Sequence, residues 1–77
     1  MKRSKNNLRV LQVLNDAELL LSPTEITLLV FGEVTLNHRI MTSQVLRRMK
    51  EAGYVAEPEK HLVEITLRGV DFLNPVN

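Results

Sequence analysis

The sequence predicts a mainly α-helical domain that carries a small β-hairpin near its C-terminal end. Apolar segments in the first two thirds of the chain show a helical period or a helix-start signal. After them, residues 61–66 alternate between two faces, as in a strand. The chain has 77 residues, of which 44% are hydrophobic, so it can bury one small core. We therefore predict a single domain over residues 1–77, in which residues 1–5 could form a disordered basic arm.

Residues 6–18 predict the first helix. Their polar side chains Arg9, Gln12 and Asp16 fall together on one side, and the apolar side chains fall on the other. The apolar arc spans roughly 160°, whereas a core requires about 100°. This helix therefore has enough apolar surface to cover the core and also to contact a partner.

The second helix has a strong start signal. Ser22 can cap it, Pro23 suits its first position and Glu25 completes a capping box. The segment that follows is almost wholly apolar up to Gly32, which fits the position just past the helix end. A short, buried helix is predicted.

A third helix is predicted after a turn at residues 33–37, and it runs to about Ala52. Gly53 is its stop signal. One face of this helix is apolar at 100° per residue and predicts its packing against the core. The members of that face are Met41, Val45, Met49 and Ala52, with Thr42 and Leu46 beside them.

The predicted hairpin consists of strands at residues 54–57 and 61–65. The residues Pro58, Glu59 and Lys60 between them predict a tight turn. Thr66 can cap a last helical turn over residues 67–73. Tyr54 is predicted to pack between the hairpin and the third helix.

Two segments resemble a known family. Residues 45–55 are similar to the end of a recognition helix that enters a first wing strand through a Gly-aromatic-Val junction. Residues 65–69 are similar to the strand-to-helix exit of the same fold, with Thr66 as the cap and Gly69 after it. Together with the element order, they make the chain resemble the winged helix–turn–helix domain of bacterial, archaeal and phage transcription regulators. The resemblance implies a three-helix core, a two-stranded wing and a short C-terminal helix.

The sequence departs from the family's pattern in two places. The turn after Gly32 is predicted to be longer than the common three- or four-residue turn. The wing is short, and Glu57 and Glu59 make it acidic, with Lys60 as its one cationic residue. An acidic wing argues against insertion of its tip into the minor groove.

Charges are segregated along the chain into blocks. Residues 1–9 and 38–50 contain Lys and Arg without an acid, and residues 10–37 contain acids without Lys or Arg. A basic block on one face is the electrostatic footprint of a nucleic-acid binder, and the alternative is a solvated helix face. The N-terminal block is either an arm that lies along DNA or a solubilising tail.

The outward face of the third helix is the predicted site. The resemblance makes this the helix that enters the major groove, where Arg reads guanine, Gln reads adenine and Ser reads either. Ile40 on this face could contact a thymine methyl, although packing inside the turn is the favoured prediction. The base-reading candidates are Arg39, Ser43, Gln44 and Arg47; Arg48 and Lys50 are predicted to contact phosphates, and Lys60 of the hairpin joins them.

The sequence argues against an enzyme. It has no Cys, its two histidines lack a carboxylate at dyad spacing, and its glycines are isolated. We expect no cofactor, metal or small-molecule substrate. Polar residues interrupt the first apolar segment, so no membrane association is expected, and a Cys-free chain suits the cytoplasm.

The predicted function is sequence-specific binding of double-stranded DNA in transcription regulation. One alternative is a winged helix that binds proteins through its acidic hairpin or the apolar arc of its first helix. Another is a phage or plasmid accessory protein that acts on a host or replication machine. A weak homodimer is predicted through Leu8, Leu11 and residues 19–21, unless the last helical turn covers this surface in the monomer.

Overall fold

Four helices and a two-stranded antiparallel hairpin make up residues 1–75, the part of the chain described by the computed structural model. This confirms the predicted mainly α-helical layout. The last two residues of the predicted domain, 76 and 77, lie outside the described residues. In chain order the elements are α1 (Lys5–Asp16), α2 (Pro23–Phe31), α3 (Leu36–Ala52), β1 (Val55–Glu59), β2 (Leu62–Ile65) and α4 (Leu67–Leu73).

Helix α2 begins with the predicted capping box. The Ser22 hydroxyl accepts a hydrogen bond from the Glu25 backbone N–H at 3.2 Å. In return the Ser22 backbone N–H donates to Glu25 Oε1 at 3.0 Å. At the other end Gly32 has φ 78°, the left-handed conformation that glycine adopts without strain. Both ends of this short helix are therefore set by local sequence.

Helix α3 begins earlier than predicted. Thr35 is its N-cap, and the Thr35 hydroxyl accepts a hydrogen bond from the His38 backbone N–H at 3.1 Å. Leu36 and Asn37 are therefore helical, and only residues 32–35 connect α2 to α3. The prediction of a long turn was wrong, because the extended backbone of Thr35 places its hydroxyl where it satisfies a free N–H of the first turn.

The hairpin turn also differs from its prediction. The turn consists of Lys60 and His61, and Pro58 and Glu59 belong to β1. The pairing register shifts between Ala56 and Glu59, so Pro58 lies in the irregular part of the strand. Proline has no N–H to donate to a ladder, and such an irregularity is where a strand tolerates it.

The hairpin is tied to the helices through Leu21, in the connection between α1 and α2. Leu21 forms a β-bridge with Val63 of β2. The Val63 N–H donates to the Leu21 carbonyl at 2.8 Å, and the Leu21 N–H donates back at 3.2 Å. This bridge fixes β2 against the connection that follows α1.

A single apolar core receives side chains from all six elements. Leu11 of α1, Ile26 of α2 and Met49 of α3 are completely inaccessible to solvent. Partly buried apolar side chains, Tyr54 and Phe72 among them, pack around this centre. The buried apolar set is Val10, Leu11, Leu14, Ile26, Val30, Val45, Leu46, Met49, Val55, Val63 and Leu73.

One polar contact inside the core links α2 to α3. The hydroxyl oxygens of Thr27 and Thr42 lie 2.9 Å apart, and each residue is 1% exposed. The Thr27 hydroxyl also lies 2.7 Å from the Pro23 carbonyl oxygen. Because a hydroxyl has one proton, Thr27 donates to Pro23 and accepts from Thr42, so no hydroxyl proton is left unsatisfied. The contact fixes the relative rotation of the two helices.

Tyr54 packs against α4, not between the hairpin and α3 as predicted. Its ring stacks on Phe72 with a centroid distance of 4.6 Å, and the Arg68 guanidinium lies 5.9 Å from its centroid. The reason is that the chain returns beside Tyr54: the Thr66 N–H donates to the Tyr54 carbonyl at 3.0 Å. That return brings the first turn of α4 onto the tyrosine.

Gly69 in α4 generates a stability prediction. A Cβ at this position would collide with the Tyr54 carbonyl oxygen and would lie 2.7 Å from Ile65 Cγ1. Helix propensity alone would make Gly69→Ala stabilising by about 1 kcal/mol. We expect destabilisation by about 2 kcal/mol or more, measured by urea unfolding, because backbone cannot yield as a flexible side chain can.

Asp71→Ala is the matched control, since Asp71 is exposed in the same helix. This variant should change the free energy of unfolding by less than about 0.5 kcal/mol. A Gly69→Ala protein at least as stable as wild type would show that α4 does not pack on the Tyr54 backbone as described.

Candidate nucleic-acid interface

The outward face of α3 is positioned by the burial of its opposite face. Thr42, Val45, Leu46 and Met49 are buried in the core. The side chains that the sequence predicted for the site on α3 therefore share the solvent side of one rigid helix. These are Arg39, Ser43, Gln44, Arg47, Arg48 and Lys50, and all are exposed.

Arg47 lies at the centre of the outward face. At 100° per residue it points almost directly away from the buried side, together with Ile40 and Glu51. Ser43 and Gln44 lie to either side of this line. Arg47 is thus the cation with the most direct access to a surface that meets α3 face on.

The first turns of the face are apolar, which sequence reasoning missed in part. Leu36 is 73% exposed, and Ile40, one turn further on, is 46% exposed. Ile40 is therefore on the surface and does not pack inside the turn as favoured from the sequence. Val34, in the connection before α3, adds a side chain that is 40% exposed. The signal in the sequence is the four-residue spacing of Leu36 and Ile40, which places both on one helical face because α3 begins right after its N-cap Thr35.

Lys50 is held by the hairpin. Its ammonium Nζ lies 3.0 Å from Glu57 Oε1, and the two form an ion pair. The other Glu57 oxygen accepts a hydrogen bond from the His61 backbone N–H at 3.4 Å. A carboxylate of the hairpin thus neutralises one cation of the predicted phosphate-contacting set.

The hydrogen bond from Lys50 lowers the pKa of Glu57 below its ordinary value of 4.5, and the hydrogen bond from His61 adds to the effect. The carboxyl group therefore remains ionised at neutral pH. Lys60 is exposed in the hairpin turn and belongs to a different element from the other predicted residues.

A groove separates the N-terminal segment from α3. Lys2 and Asn6 line one side, and Gln44 and Arg48 line the other. The buried Asn7 side chain holds the segment in place, since its Nδ2 donates to the Lys2 carbonyl at 2.8 Å. The sequence did not predict that Lys2 and Arg48 border one groove. The N-terminal segment is placed there by the hydrogen bond from Asn7, and an asparagine in a helix does not by itself indicate such a contact.

Arg3 contacts the end of α4. Its guanidinium donates to the Phe72 carbonyl and, at 3.3 Å, to the Leu73 carbonyl at the end of α4. It also lies 5.2 Å from the centroid of the Phe72 ring. Of the N-terminal cations, Arg3 therefore anchors the segment to the domain, and Ser4 caps α1 beside it.

Within residues 1–75 no three side chains of the metal-ligating types come together. None of the described helices has the length and apolarity needed to cross a membrane. His38 stacks on Phe31 with a centroid distance of 4.4 Å, and its Nδ1 lies 3.5 Å from Glu33 Oε1 without hydrogen-bond geometry. This histidine stiffens the connection between α2 and α3.

Comparison with family models, curated proteins and solved structures finds no significant match to this chain. The layout of three helices, hairpin and short C-terminal helix is consistent with a winged helix. The basis for a functional proposal is therefore the chemistry of the α3 face and of the surfaces around it.

The Lys50–Glu57 pair generates a pH prediction. Because the pKa of Glu57 is lowered on folding, the pair stabilises the hairpin above pH of about 4.5 and loses this effect as pH falls through the folded-state pKa. In an NMR titration of the side-chain carboxyl groups, Lys50→Gln should raise the pKa of Glu57 towards 4.5.

Glu25 is the internal control of this titration. Hydrogen bonds from the Ser22 backbone and hydroxyl group lower the pKa of Glu25, and these bonds do not involve Lys50. Lys50→Gln should leave this pKa unchanged. If the pKa of Glu57 also stays unchanged, the ion pair does not exist in solution.

Proposed function

We propose that the protein binds double-stranded DNA through α3 and regulates transcription. The observation that supports this best is the single exposed face that presents Arg39, Ser43, Gln44 and Arg47 on a helix whose opposite side is buried. An α-helix of this kind fits the major groove, and its outward side chains then reach the base edges. The resemblance to winged helix regulators, though unsupported by a sequence match, points to the same element.

Each side chain on the face suits a different contact. Arg47, at the centre, can donate two parallel hydrogen bonds to guanine, and Gln44 can pair with adenine. Leu36 and Ile40 are suited to thymine methyl groups, which apolar side chains contact in the major groove. The face thus combines polar and apolar readers, which favours a specific sequence over random DNA.

Phosphate contacts would flank the readers. Arg48 and Lys2 border one groove beside α3, where a DNA strand could pass between the helix and the N-terminal segment. On the other flank Lys50 is occupied by Glu57. Attraction to phosphate is therefore stronger on the N-terminal flank than on the hairpin flank. Such a role places the protein with DNA, which in a prokaryote or an infected prokaryote is the cytoplasm.

Replacement of single arginines tests the assignment of α3. Arg47→Ala should lower the affinity for a selected binding site by roughly 1–3 kcal/mol and blur its preferred sequence. Arg48→Ala should weaken binding about equally on all sequences. It should also reduce the slope of log K against log salt by about 0.9, the contribution of one phosphate contact. Fluorescence anisotropy with selected and random duplexes at two salt concentrations measures both effects.

Arg9→Ala is the matched control, because Arg9 is an exposed arginine on α1 and its removal changes the net charge equally. It should alter DNA affinity less than either α3 variant. Binding by Arg47→Ala that equals wild type on both duplexes would exclude α3 as the reading helix.

The hairpin carboxylate provides a second test of the same interface. Glu57→Gln should free Lys50 for phosphate, raise the affinity for random DNA and steepen the dependence of log K on log salt by about 0.9. Glu59→Gln removes the same charge from the same strand without removing the partner of Lys50, so its effect should be smaller. Equal effects of the two variants would mean that only the overall charge matters.

A further inference from the structure

A second surface, unused by the proposed DNA contact, lies where α1 ends and the chain turns into α2. An open groove of about 570 Å³ follows the end of α1 and the exposed side of α2. Its lining is mainly apolar and includes two carboxylates. The lining residues are Val13, Ala17, Leu19, Leu21 and Leu29, with Asp16 and Glu18. We call it the α1–α2 groove.

The α1–α2 groove continues past Leu19 towards the hairpin. A neighbouring depression shares Ala17, Glu18 and Leu19 with it and extends along residues 63–65 of β2. Leu19 stands between the two depressions and is 81% exposed, and Leu29 on the α2 side is 54% exposed. Isolated exposed leucines are ordinary, but leucines that project beside a mainly apolar groove form a patch of the kind that binds other proteins.

The charged side chains that line this patch are all acidic. The carboxylates are Asp16 and Glu18 on the groove and Glu64 on the neighbouring depression. Residues 10–37, which supply most of the lining, contain no Lys or Arg. The patch therefore combines apolar side chains with carboxylates, and its best complement is an apolar segment flanked by cations.

We propose that the α1–α2 groove docks a basic, amphipathic segment of another protein, with apolar side chains against Leu19 and Leu29 and Lys or Arg against Asp16, Glu18 and Glu64. A two-fold contact between copies of this chain would place these carboxylates against each other, which costs energy. The lining comes from α1, the connection, α2 and β2, so the groove can be occupied while α3 contacts DNA. This docking does not depend on the proposed DNA binding.

The direct test uses a designed probe. A fluorescein-labelled amphipathic peptide with leucines on one helical face and Lys and Arg beside them is titrated with the full-length protein, and its anisotropy is measured. We expect binding that weakens as salt rises. A peptide with Glu in place of each Lys and Arg, and another with Ser in place of each Leu, should each bind at least about tenfold more weakly.

Two variants assign the binding to the groove. Leu19→Ser should weaken peptide binding about tenfold, since it removes the most exposed apolar side chain of the patch. Leu67→Ser is the matched control: Leu67 is 85% exposed on α4, outside the groove, and its loss should change nothing. Both positions are on the surface, and urea unfolding checks that both variants retain their fold.

Several results would overturn the proposal. They are absence of binding by the basic peptide, equal binding of the acidic peptide, or equal effects of Leu19→Ser and Leu67→Ser. Sedimentation that shows a dimer of the free protein, lost in Leu19→Ser, would assign the groove to a second copy instead. Leu19→Ser should leave DNA affinity unchanged, so a failure here is distinct from a failure of the α3 assignment.

Discussion

The packing of residues 66–69 on the Gly53–Tyr54 backbone is the constraint on which the rest of the fold depends. Gly53 ends α3 in the left-handed conformation at φ 82°. The Thr66 hydroxyl donates to the Gly53 carbonyl at 2.6 Å and accepts from the Gly69 N–H at 3.1 Å, so one side chain links the end of α3 to the start of α4. Only a residue without a Cβ fits at position 69. The entry and exit of the hairpin are thereby fixed at one point.

The electrostatics of the α3 face follow from that fixed hairpin. Since β1 leaves directly from the end of α3, it runs back beside the last turns of the helix, and Glu57 comes within 3.0 Å of Lys50. A basic hairpin would attract DNA phosphates. This hairpin is acidic instead, and its Glu57 neutralises the charge of Lys50 on the helix. The three remaining cations of α3 are Arg39 in its first turns, Arg47 at the centre of the outward face and Arg48 beside the N-terminal segment, so the positive surface of α3 lies away from the hairpin.

Segregated charge along the chain becomes two surfaces in the fold. The basic block at residues 38–50 lies on α3, and the acidic block at residues 10–37 borders the apolar groove between α1 and α2. The apolar surface predicted to form a dimer is smaller than expected from the sequence. On α1, Leu11 is fully buried and Leu8 is partly buried against the core, and in the connection after α1 Leu19 remains exposed. The two surfaces lie on different elements, so the proposed contact of α3 with DNA leaves the α1–α2 groove open to a protein segment.

The sequence by itself determined the helices, their caps at Ser22 and Thr66, and the outward face of α3, because these depend on interactions between residues no more than four apart. Only the tertiary structure decided the partner of Lys50, the stacking of Tyr54 on Phe72, and the groove shared by Lys2 and Arg48. Even the start of α3 was missed, because several polar residues in that turn could cap a helix and local pattern does not choose between them. Contacts between distant residues depend on where the hairpin and the chain ends return, and that is set by the packing of the whole core.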